Sequence, residues 1–413
     1  MADIRPFCAV RPKEGLEDKI AALPYDVYNR KEAREVTERN PLSFLRIDRA
    51  ETQFAEDADM YAPCIYEKAS SLLQEMLDNG QFIREEMPCY YIYELTMDGR
   101  SQTGIVACAS VDDYQNQVIK KHENTRAEKE EDRIRHVDVC SAQTGPIFLA
   151  YRARKELREL VEMKKQQAAL YDFTSEDGIR HRVWRIDSGK EIADIQENFR
   201  KTESIYIADG HHRCASAVKV ALKRRAEHPD YTGREEFNYF LSVLFPDEEL
   251  MIMDYNRVVK DLNGYTPKQF LEKLSEKYQV ELLGEKAQHP KEKGQVTMFL
   301  EDNWYLLTYT GNPAKEDPVA SLDVSVLQKE VLTPILGIAD PKTDKRIDFV
   351  GGIRGLAELE KRVHEDCRVA FAMYPTSIAE LFAVSDAGLL MPPKSTWFEP
   401  KLRSGLFIHQ IER

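Results

Sequence analysis

The residues best suited to chemistry stand in a polar turn between a predicted strand and a predicted helix. The turn reads Asp-Gly-His-His-Arg at 209–213, after the apolar run 204–208 and before a helical pattern over 214–225. Unpaired backbone N–H groups and the helix dipole converge on such a turn and favour an anion. Gly210 lets the backbone approach a phosphate, and Arg213 offers a planar fork of donors to phosphate oxygens. We therefore predict a phosphate-binding turn here.

The other residues of this turn have two interpretations. Asp209 can hold a cation or orient a hydroxyl, and His211 and His212 add hydrogen-bond donors. In the simpler interpretation, Asp209 is only the N-cap of the helix and the histidines are surface residues. Adjacent histidines at a helix start point in different directions, and no His-Glu-x-x-His or equivalent spacing follows. The sequence therefore predicts no dedicated metal-ligating residues.

Glu14 is the candidate catalytic base. It closes the short segment Arg-Pro-Lys-Glu at 11–14. A carboxylate within hydrogen-bond reach of a hydroxyl can accept its proton as a phosphoryl group is transferred. The alternative is that Glu14 is a carboxylate at the N-terminus of a helix, where it only suits the helix dipole.

Three further segments hold candidate substrate-binding residues. Tyr25 and Asp26 can bind the ammonium group of an amino acid, although Pro-Tyr-Asp is also a common turn. His122 and Glu123 can reach the site, or they belong to a solvated helix start at which Thr125 and Glu128 form a capping box. The third segment is a loop bounded by proline, whose lysine and two hydroxyls suit a phosphate or a carboxylate: Lys394, Ser395 and Thr396.

The amino-acid composition indicates which binding partners and which cell compartment to expect. The net charge of -13 disfavours nucleic acid, because binding a polyanion relies on many lysines and arginines. Seven scattered cysteines without a C-x-x-C pair favour neither a disulfide framework nor a zinc knuckle, which fits a reducing cytoplasm. The N-terminus leads into no signal-peptide stretch, and no run approaches the roughly 18 apolar residues of a membrane span. We expect a cytoplasmic protein without membrane partners.

Hydrophobic periodicity predicts a mixture of strands and helices. A β-hairpin is predicted over 89–96 and 103–111, and a second one over 237–245 and 250–253 around Pro246-Asp247. Other predicted strands are 4–10, 146–151, 181–186, 204–208, 296–300, 305–309 and 369–372. Predicted helices are 30–38, 61–78, 126–139, 155–168, 267–277, 324–332 and 378–383. This mixture predicts an α/β or α+β chain without fixing the order of the sheet.

The turn also resembles a known motif. Asp-Gly-His-His-Arg followed by Cys214-Ala215 is similar to the helix start of the ParB/sulfiredoxin-like fold, whose members bind nucleotide phosphates there. Free serine kinases of that fold share this stretch, a short turn that ends in a catalytic glutamate, as at 11–14, and a late Pro-Lys-Thr-Thr segment, as at 393–396. Where those kinases continue with arginine and histidine, this chain has Trp397 and Phe398. The motif resemblance therefore does not by itself identify the substrate.

Over nearly its full length the chain resembles the family DUF1015. The motifs that carry this resemblance stand at 23–27, 122–125, 346–352 and 391–396. The two resemblances imply a ParB/sulfiredoxin-like core with large mixed α/β insertions. We expect the core to comprise 1–30 and 200–260, the inserted α/β region to span 31–199, and a C-terminal α/β region over 261–413 to contribute a substrate loop.

The resemblance implies a phosphotransferase that uses ATP or ADP with Mg²⁺. It would phosphorylate the hydroxyl of a small metabolite, with free L-serine as the best candidate and O-phospho-L-serine as the product. In this assignment Glu14 and Asp209 are catalytic, the turn from Gly210 to Arg213 binds phosphates, and the three substrate segments bind the acceptor. Two alternatives stay open: a ParB-like nucleotide-binding regulatory module without kinase activity, and a hydrolase that uses His211 or His212 directly.

Overall fold

The computed structural model describes residues 1–313 and 316–411. It divides the chain into two compact units. The first comprises Met1–Leu250 and Pro400–Arg413, and the second comprises Met251–Glu399. The predicted mixture of helices and strands is confirmed, and both units are mixed α/β structures. The division of the first 260 residues into a core and an insertion stays a prediction.

The first unit is built on strands that the hydrophobic pattern partly predicts. Between residues 1 and 250 they are Ile4–Arg5 (β1), Val10–Pro12 (β2), Phe82–Arg84 (β3), Tyr90–Met97 (β4), Arg100–Ser110 (β5), Ile119–Lys120 (β6), Ala142–Gln143 (β7), Ile147–Tyr151 (β8), Tyr171–Thr174 (β9), Arg180–Ile186 (β10), Ile205–Asp209 (β11) and Tyr239–Pro246 (β12). The hairpin of β4 and β5 is confirmed. Its turn, Asp98-Gly99, has positive φ at both residues (51° and 78°), as the tightest hairpin turns require.

Helices of the first unit connect and cover these strands. They are Glu17–Ile20 (α1), Arg30–Arg39 (α2), Leu45–Asp48 (α3), Pro63–Asp78 (α4), Val111–Gln115 (α5), Ala127–Cys140 (α6), Lys155–Lys165 (α7), Gly189–Arg200 (α8) and His211–Glu227 (α9). The predicted helices 30–38, 61–78 and 126–139 are confirmed as α2, α4 and α6. The predicted helix over 155–168 ends early, at Lys165.

In the described part of the chain, the main sheet of this unit contains nine strands in the order β6-β11-β8-β12-β5-β4-β10-β9, with β1 paired to β5. Strand β11 lies parallel to β6 and antiparallel to β8. Helix α9 packs on the sheet through Cys214, Val218 and Ala221, which are buried in one core cluster with strand residues such as Leu149 and Ile207. Leu222 has the sequence spacing of the same face, yet it is 39% exposed. The sheet and α9 thus fix the turn between them.

The second unit is built on an antiparallel sheet. Its strands are Ile252–Met253 (β13), Tyr255–Val259 (β14), Tyr278–Gly284 (β15), Gln295–Leu300 (β16), Asn303–Tyr309 (β17), Ile347–Gly351 (β18), Val369–Met373 (β19) and Trp397–Phe398 (β20). Its α-helices are Pro267–Leu274 (α10), Asp323–Leu327 (α11), Gly355–Glu365 (α12) and Ile378–Asp386 (α13). The larger sheet has the order β15-β17-β16-β19-β14-β18. After it, the chain returns to the first unit and ends with strand β21, His409–Gln410.

The second predicted hairpin is wrong. Strand β12 pairs with β5 and β8, whereas β13, which holds the second half of that hairpin, pairs with β20. A short apolar run after Pro246-Asp247 satisfies the local pattern of a hairpin, but the hydrogen-bond partners of β12 come from strands more than 85 residues earlier in the sequence.

Across the described residues, no helix is both long enough and apolar enough to span a lipid bilayer.

Candidate functional site

The turn at 209–213 has the predicted position between a strand and a helix. Strand β11 ends at Asp209 and helix α9 begins at His211. Gly210, the N-cap, has φ of 89° and ψ of 31°, a left-handed conformation that glycine adopts without steric cost. The N-cap residue is a glycine, so in the described part of the chain it provides no side-chain hydrogen bond to the first turn of the helix. The backbone N–H groups of the first turn are therefore directed outward, as in anion sites at helix starts.

Asp209 is not the N-cap, and its interpretation as a simple helix cap is wrong. Its Oδ1 accepts a hydrogen bond of 2.8 Å from the N–H of Gly210, and its Oδ2 lies 3.0 Å from Nζ of Lys401. Burial opposes the charge of this carboxylate, but Lys401 and Arg213 outweigh that effect and hold the pKa of Asp209 well below its usual range. The carboxylate is therefore ionised and held between two cations.

The guanidinium of Arg213 folds back over the turn. Its Nη1 donates a hydrogen bond of 2.6 Å to the carbonyl of Pro146. A Cβ added to Gly210 would lie 3.2 Å from Nε of Arg213, and one added to Gly145 would lie 3.3 Å from Nη1. Both glycines therefore make room for the guanidinium. Ser404 lines the same space, since its Oγ would lie 3.0 Å from a Cβ added to Gly145.

The two histidines of the turn point in different directions, as the sequence predicts. Nε2 of His211 accepts a hydrogen bond of 3.5 Å from the N–H of His122. Nε2 of His212 accepts one of 2.9 Å from the N–H of Arg126. Both histidines thus fasten the segment 122–126 to the start of α9. The surface interpretation is wrong for His211, which is 8% exposed, and burial lowers the pKa of both imidazoles.

His122 and Glu123 lie against His211. The rings of His122 and His211 are perpendicular, with centroids 4.5 Å apart. One potential ligand atom from each of His122, Glu123 and His211 lies within 4.8 Å of the other two. Burial lowers the pKa of His122 to about 4, against the opposing effect of a hydrogen bond with the backbone of Ile207. Two neutral imidazoles and a carboxylate therefore converge beside the turn.

The capping box of Thr125 and Glu128, the alternative interpretation of the start of α6, is not formed. The N-cap of this helix is Arg126, and among the described residues it receives no capping hydrogen bond from a side chain. The hydroxyl of Thr125 instead donates to the carboxylate of Glu130, which also pairs with Lys219 of α9. The segment is held by contacts to α9, which a pattern within one helix does not reveal.

Tyr25 and Asp26 line a cavity of about 180 Å³ within the first unit. Asp48, Arg133 and His136 also line it. A smaller cavity, lined by Tyr25, Asp48, Arg133 and His136, extends to Arg213 and Gly145. The structure therefore brings Tyr25 and Asp26 close to the turn at 209–213, although nearly 190 residues separate them in sequence.

Arg133 is a buried cation in the lining of this cavity. Its guanidinium lies 4.1 Å from the ring centroid of Tyr25 and pairs with Asp132 at 2.8 Å. Burial disfavours its charge, but the neighbouring Asp132, Tyr25 and Asp48 raise the pKa of Arg133 above its usual value. On the opposite side, Oδ1 of Asp48 accepts a hydrogen bond of 2.8 Å from Thr144. The cavity thus presents positive and negative groups together.

Glu14 lies in an exposed turn between β2 and α1. Within the described ranges, it has no hydrogen bond or ion pair, and its charge acts on Tyr171 of β9. The interpretation as a first-turn helix carboxylate is wrong, because α1 begins only at Glu17 and has Glu17 and Asp18 in its first turn. The role of Glu14 as a catalytic base stays a prediction.

The predicted substrate loop Lys394–Thr396 lies in the second unit. Lys394 has φ of 59°, and its Nζ lies 5.4 Å from the ring centroid of Tyr255. Ser395 is 5% exposed, and its Oγ donates a hydrogen bond of 2.7 Å to the carbonyl of Pro392. The hydroxyl of Ser395 therefore supports the loop itself. The participation of Lys394, Ser395 and Thr396 in substrate binding stays a prediction.

Sequence reasoning missed two residues that complete the site. Lys401 neutralises Asp209, and Arg133 is a buried cation in the lining of the cavity. The contacts that place them at the site, Lys401 with Asp209 and Arg133 with Tyr25, join residues that are distant in sequence, so no spacing rule connects them. The only available signal for Lys401 was a short basic stretch before Gly405, which is common in loops.

Several solved structures resemble this chain distantly. A conserved hypothetical protein from Pyrococcus furiosus is 17% identical, with 74% of this chain and 94% of that chain covered and a TM-score of 0.34. A free serine kinase variant in complex with AMP is 14% identical, with 74% and 92% covered and a TM-score of 0.35. SbnI with a C-terminal truncation, from Staphylococcus aureus, is 13% identical, with 71% and 82% covered and a TM-score of 0.35. Likenesses this distant transfer neither a ligand nor an activity.

No protein with a curated description matches the sequence. A family model does match it, and the match covers residues 4–325, which include the turn, the cavity and the segment 122–126. The description of this family is "Protein of unknown function (DUF1015)". Since the match spans most of the chain, the protein belongs to the DUF1015 family.

Proposed function

We propose that the protein is a phosphotransferase that moves a phosphoryl group from ATP or ADP to the hydroxyl of a small metabolite, with free L-serine as the best candidate. The observation that carries this proposal is the turn at 209–213. An ionised carboxylate, a guanidinium bonded to the carbonyl of Pro146 in space left by two glycines, and the uncapped N–H groups of a 17-residue helix converge there. Phosphoryl transfer depends on positioning and charge neutralisation rather than on a covalent nucleophile.

The donor phosphates would bind at the start of α9. The N–H groups of residues 211–213 supply hydrogen bonds, and Arg213 supplies a charged fork. Asp209 is the oxygen ligand at this position that suits Mg²⁺, provided that the ion replaces Lys401 as its partner. Mg²⁺, when bound, would neutralise phosphate charge. Lys401 would then be released within reach of the same phosphates.

The acceptor would bind in the cavity lined by Tyr25 and Asp26. At about 180 Å³ it is smaller than the roughly 300–1,000 Å³ of sites for drug-sized ligands, so it suits a small metabolite. Its mixed charges match a zwitterion, with Arg133 for a carboxylate and Asp26 or Asp48 for an ammonium group. The motif resemblance to free serine kinases favours serine among such zwitterions. The predicted roles of His122 and Glu123, and of Lys394 to Thr396, as further acceptor contacts belong to this proposal.

In the reaction, the acceptor hydroxyl oxygen bonds to the terminal phosphorus of the donor. The bond from that phosphorus to the bridging oxygen breaks, so ATP leaves as ADP, or ADP leaves as AMP. A carboxylate accepts the hydroxyl proton. Glu14 has this role by resemblance, and Asp26 is the second candidate because it is exposed at the mouth of the cavity.

The test is to incubate the purified chain with L-serine, Mg²⁺ and either ATP or ADP, and to quantify O-phosphoserine by mass spectrometry. We expect O-phosphoserine with at least one donor, in amounts equal to the nucleotide consumed. Glu14→Gln and Asp26→Asn identify the base, because the true base variant loses product even at saturating L-serine while nucleotide binding persists. The loss of a mere acceptor contact is offset by saturating L-serine. Glu17→Gln is the matched control, since this carboxylate lies three residues beyond Glu14.

Other outcomes separate the alternatives. Nucleotide binding without any phosphorylated acceptor would support the regulatory module of the ParB type. Release of inorganic phosphate without an acceptor would support a hydrolase. If the chain binds neither ATP nor ADP, the proposed function fails altogether.

A further inference from the structure

We propose that His122, Glu123 and His211 form a binding site for one divalent transition metal ion of the zinc class. The three side chains come from a loop before α6 and from the first residue of α9. One potential ligand atom from each lies within 4.8 Å of the other two. The site is distinct from the Asp209–Lys401 pair. It stands independently of the proposed kinase activity.

The donor set selects the class of metal. Two imidazole nitrogens and one carboxylate oxygen are a recurrent ligand set for zinc sites that keep an open fourth position. The same donors also suit other divalent ions of the first transition row. Mg²⁺ prefers oxygen ligands, so this cluster is a poor site for it. A phosphotransferase that uses Mg²⁺ at Asp209 would therefore hold two chemically different cation sites.

The imidazole of His122 is oriented for this role. Its ring is hydrogen-bonded to the backbone of Ile207 on β11, the strand that leads into the turn. A neutral imidazole has one donor and one acceptor nitrogen, so a bond to a carbonyl leaves the opposite nitrogen as the acceptor. Histidine ligands of metals are typically fixed by this arrangement, with the second ring nitrogen donating to a carbonyl or carboxylate.

The imidazole of His211 is fixed by the start of α9. Gly210 turns the chain with positive φ just before His211, and the ring of His211 lies against that of His122. Nε2 of His211 accepts a long hydrogen bond of 3.5 Å from the N–H of His122. Its lone pair therefore already faces this segment. A metal ion would replace a weak hydrogen bond with a coordinate bond.

Access and charge are compatible with a cation. His122 and His211 are 2% and 8% exposed, and Glu123 is half-buried and forms the more open side of the cluster. Asp209 is near enough to favour positive charge on both imidazoles. Lys121 and His212 oppose positive charge on His211. The carboxylate of Glu123, as a ligand, supplies a negative charge within the cluster itself.

The experiment measures metal binding rather than activity. The full chain is stripped of metal with a chelator and titrated with Zn²⁺ alone by calorimetry, and then with Co²⁺, whose visible absorption reports its coordination. We expect one ion per chain. Glu123→Gln and His122→Asn should weaken Zn²⁺ binding by at least about 100-fold, the upper end of losses from altering residues behind the ligands.

Two matched controls make the result specific. His289→Asn alters an exposed histidine of the second unit, outside the cluster and its supporting contacts, and should keep wild-type affinity for Zn²⁺. Cys64→Ser removes the exposed thiol, a competing zinc ligand, and should also leave the affinity unchanged. A cysteine ligand would add a strong near-ultraviolet charge-transfer band to the Co²⁺ spectrum, and we expect none.

The proposal is overturned if the chain binds no Zn²⁺ saturably, or if both cluster variants bind it as tightly as the wild type. Melting curves recorded without metal show whether each variant is folded. Glu123→Gln is the decisive variant, because it is isosteric and its side chain is half-buried. Nucleotide affinity measured in the zinc-free chain tests the kinase proposal separately, so either proposal can fail alone.

Discussion

Nζ of Lys401 lies 3.0 Å from Oδ2 of Asp209 and joins residues that stand 192 positions apart in the sequence. The C-terminal segment Pro400–Arg413 thereby supplies the counterion for the turn between β11 and α9. Lys401 lies in the segment that returns to the first unit after the second unit is complete. The charge balance of the turn therefore depends on both sequence segments of the first unit.

We predict that Lys401→Met lowers the free energy of unfolding at pH 7 by up to about 1 kcal/mol, the range for partly exposed ion pairs. Asp209 has a depressed pKa, so its contribution is present above the unfolded value of about 3.9 and is lost as the pH falls below it. The difference from wild type should therefore shrink below about pH 4. Urea unfolding at several pH values measures it. Lys201→Met, which breaks an exposed pair with Glu197, should show a smaller loss at every pH.

We predict that Gly210→Ala impairs nucleotide binding beyond its effect on stability. The left-handed conformation should cost about 1–2 kcal/mol for alanine, and the new Cβ would lie 3.2 Å from Nε of Arg213 and push the guanidinium aside. Gly233→Ala is the matched control, since Gly233 has φ of 86° and open space around its Cβ position. Both variants should lose similar stability. Equal nucleotide affinity in the two would contradict a role for the fixed guanidinium.

We predict that Arg213→Lys weakens ATP or ADP binding roughly tenfold to a hundredfold, as expected for a charged hydrogen bond of about 1.5–3 kcal/mol. Lysine keeps the charge but loses the planar fork and the bond to the carbonyl of Pro146. Arg225→Lys, which affects contacts to Asn238 and Asp112 at the other end of α9, should leave the affinity unchanged. Calorimetry provides both values. Wild-type affinity in Arg213→Lys would remove this residue from the phosphate site.

We predict that His181 makes the fold less stable in acid. Burial, followed by the charge of Arg403, lowers the pKa of His181 to about 3. The unfolded chain, with a histidine pKa of about 6.5, binds more protons below that pH, so stability falls as the pH decreases. From pH 6.5 to 5 this histidine should contribute a loss of about 1.5–2 kcal/mol.

His181→Gln tests this prediction through the pH dependence rather than the stability at one pH. The variant should show a shallower fall in unfolding free energy between pH 6.5 and 5, even if it is less stable at pH 7 through the loss of its hydrogen bond of 2.8 Å with Tyr93. His289→Gln, at an exposed histidine, should keep the wild-type slope. An unchanged slope in His181→Gln would show that His181 titrates alike in both states.

Local features of the fold could be predicted from the sequence because they depend on neighbouring residues. The turn residues Asp98-Gly99 specify the hairpin of β4 and β5, and apolar spacing identifies α4 and α9. The pattern around Pro246-Asp247 predicted a hairpin that does not form, because the partners of a strand are determined by the whole sheet. Leu222 has the right spacing for the buried face of α9, yet it is 39% exposed.

The sequence by itself determined the type and the location of the turn at 209–213, since a polar glycine turn between an apolar strand and an amphipathic helix is a local pattern. Only the tertiary structure decided which groups surround it. Lys401 lies beside Asp209, 192 residues away in the sequence, and His122 lies beside His211, 89 residues away. Tyr25 likewise lies beside Arg133. Such pairs arise where distant segments pack, and their chemistry depends on burial and charge that no spacing in the sequence records.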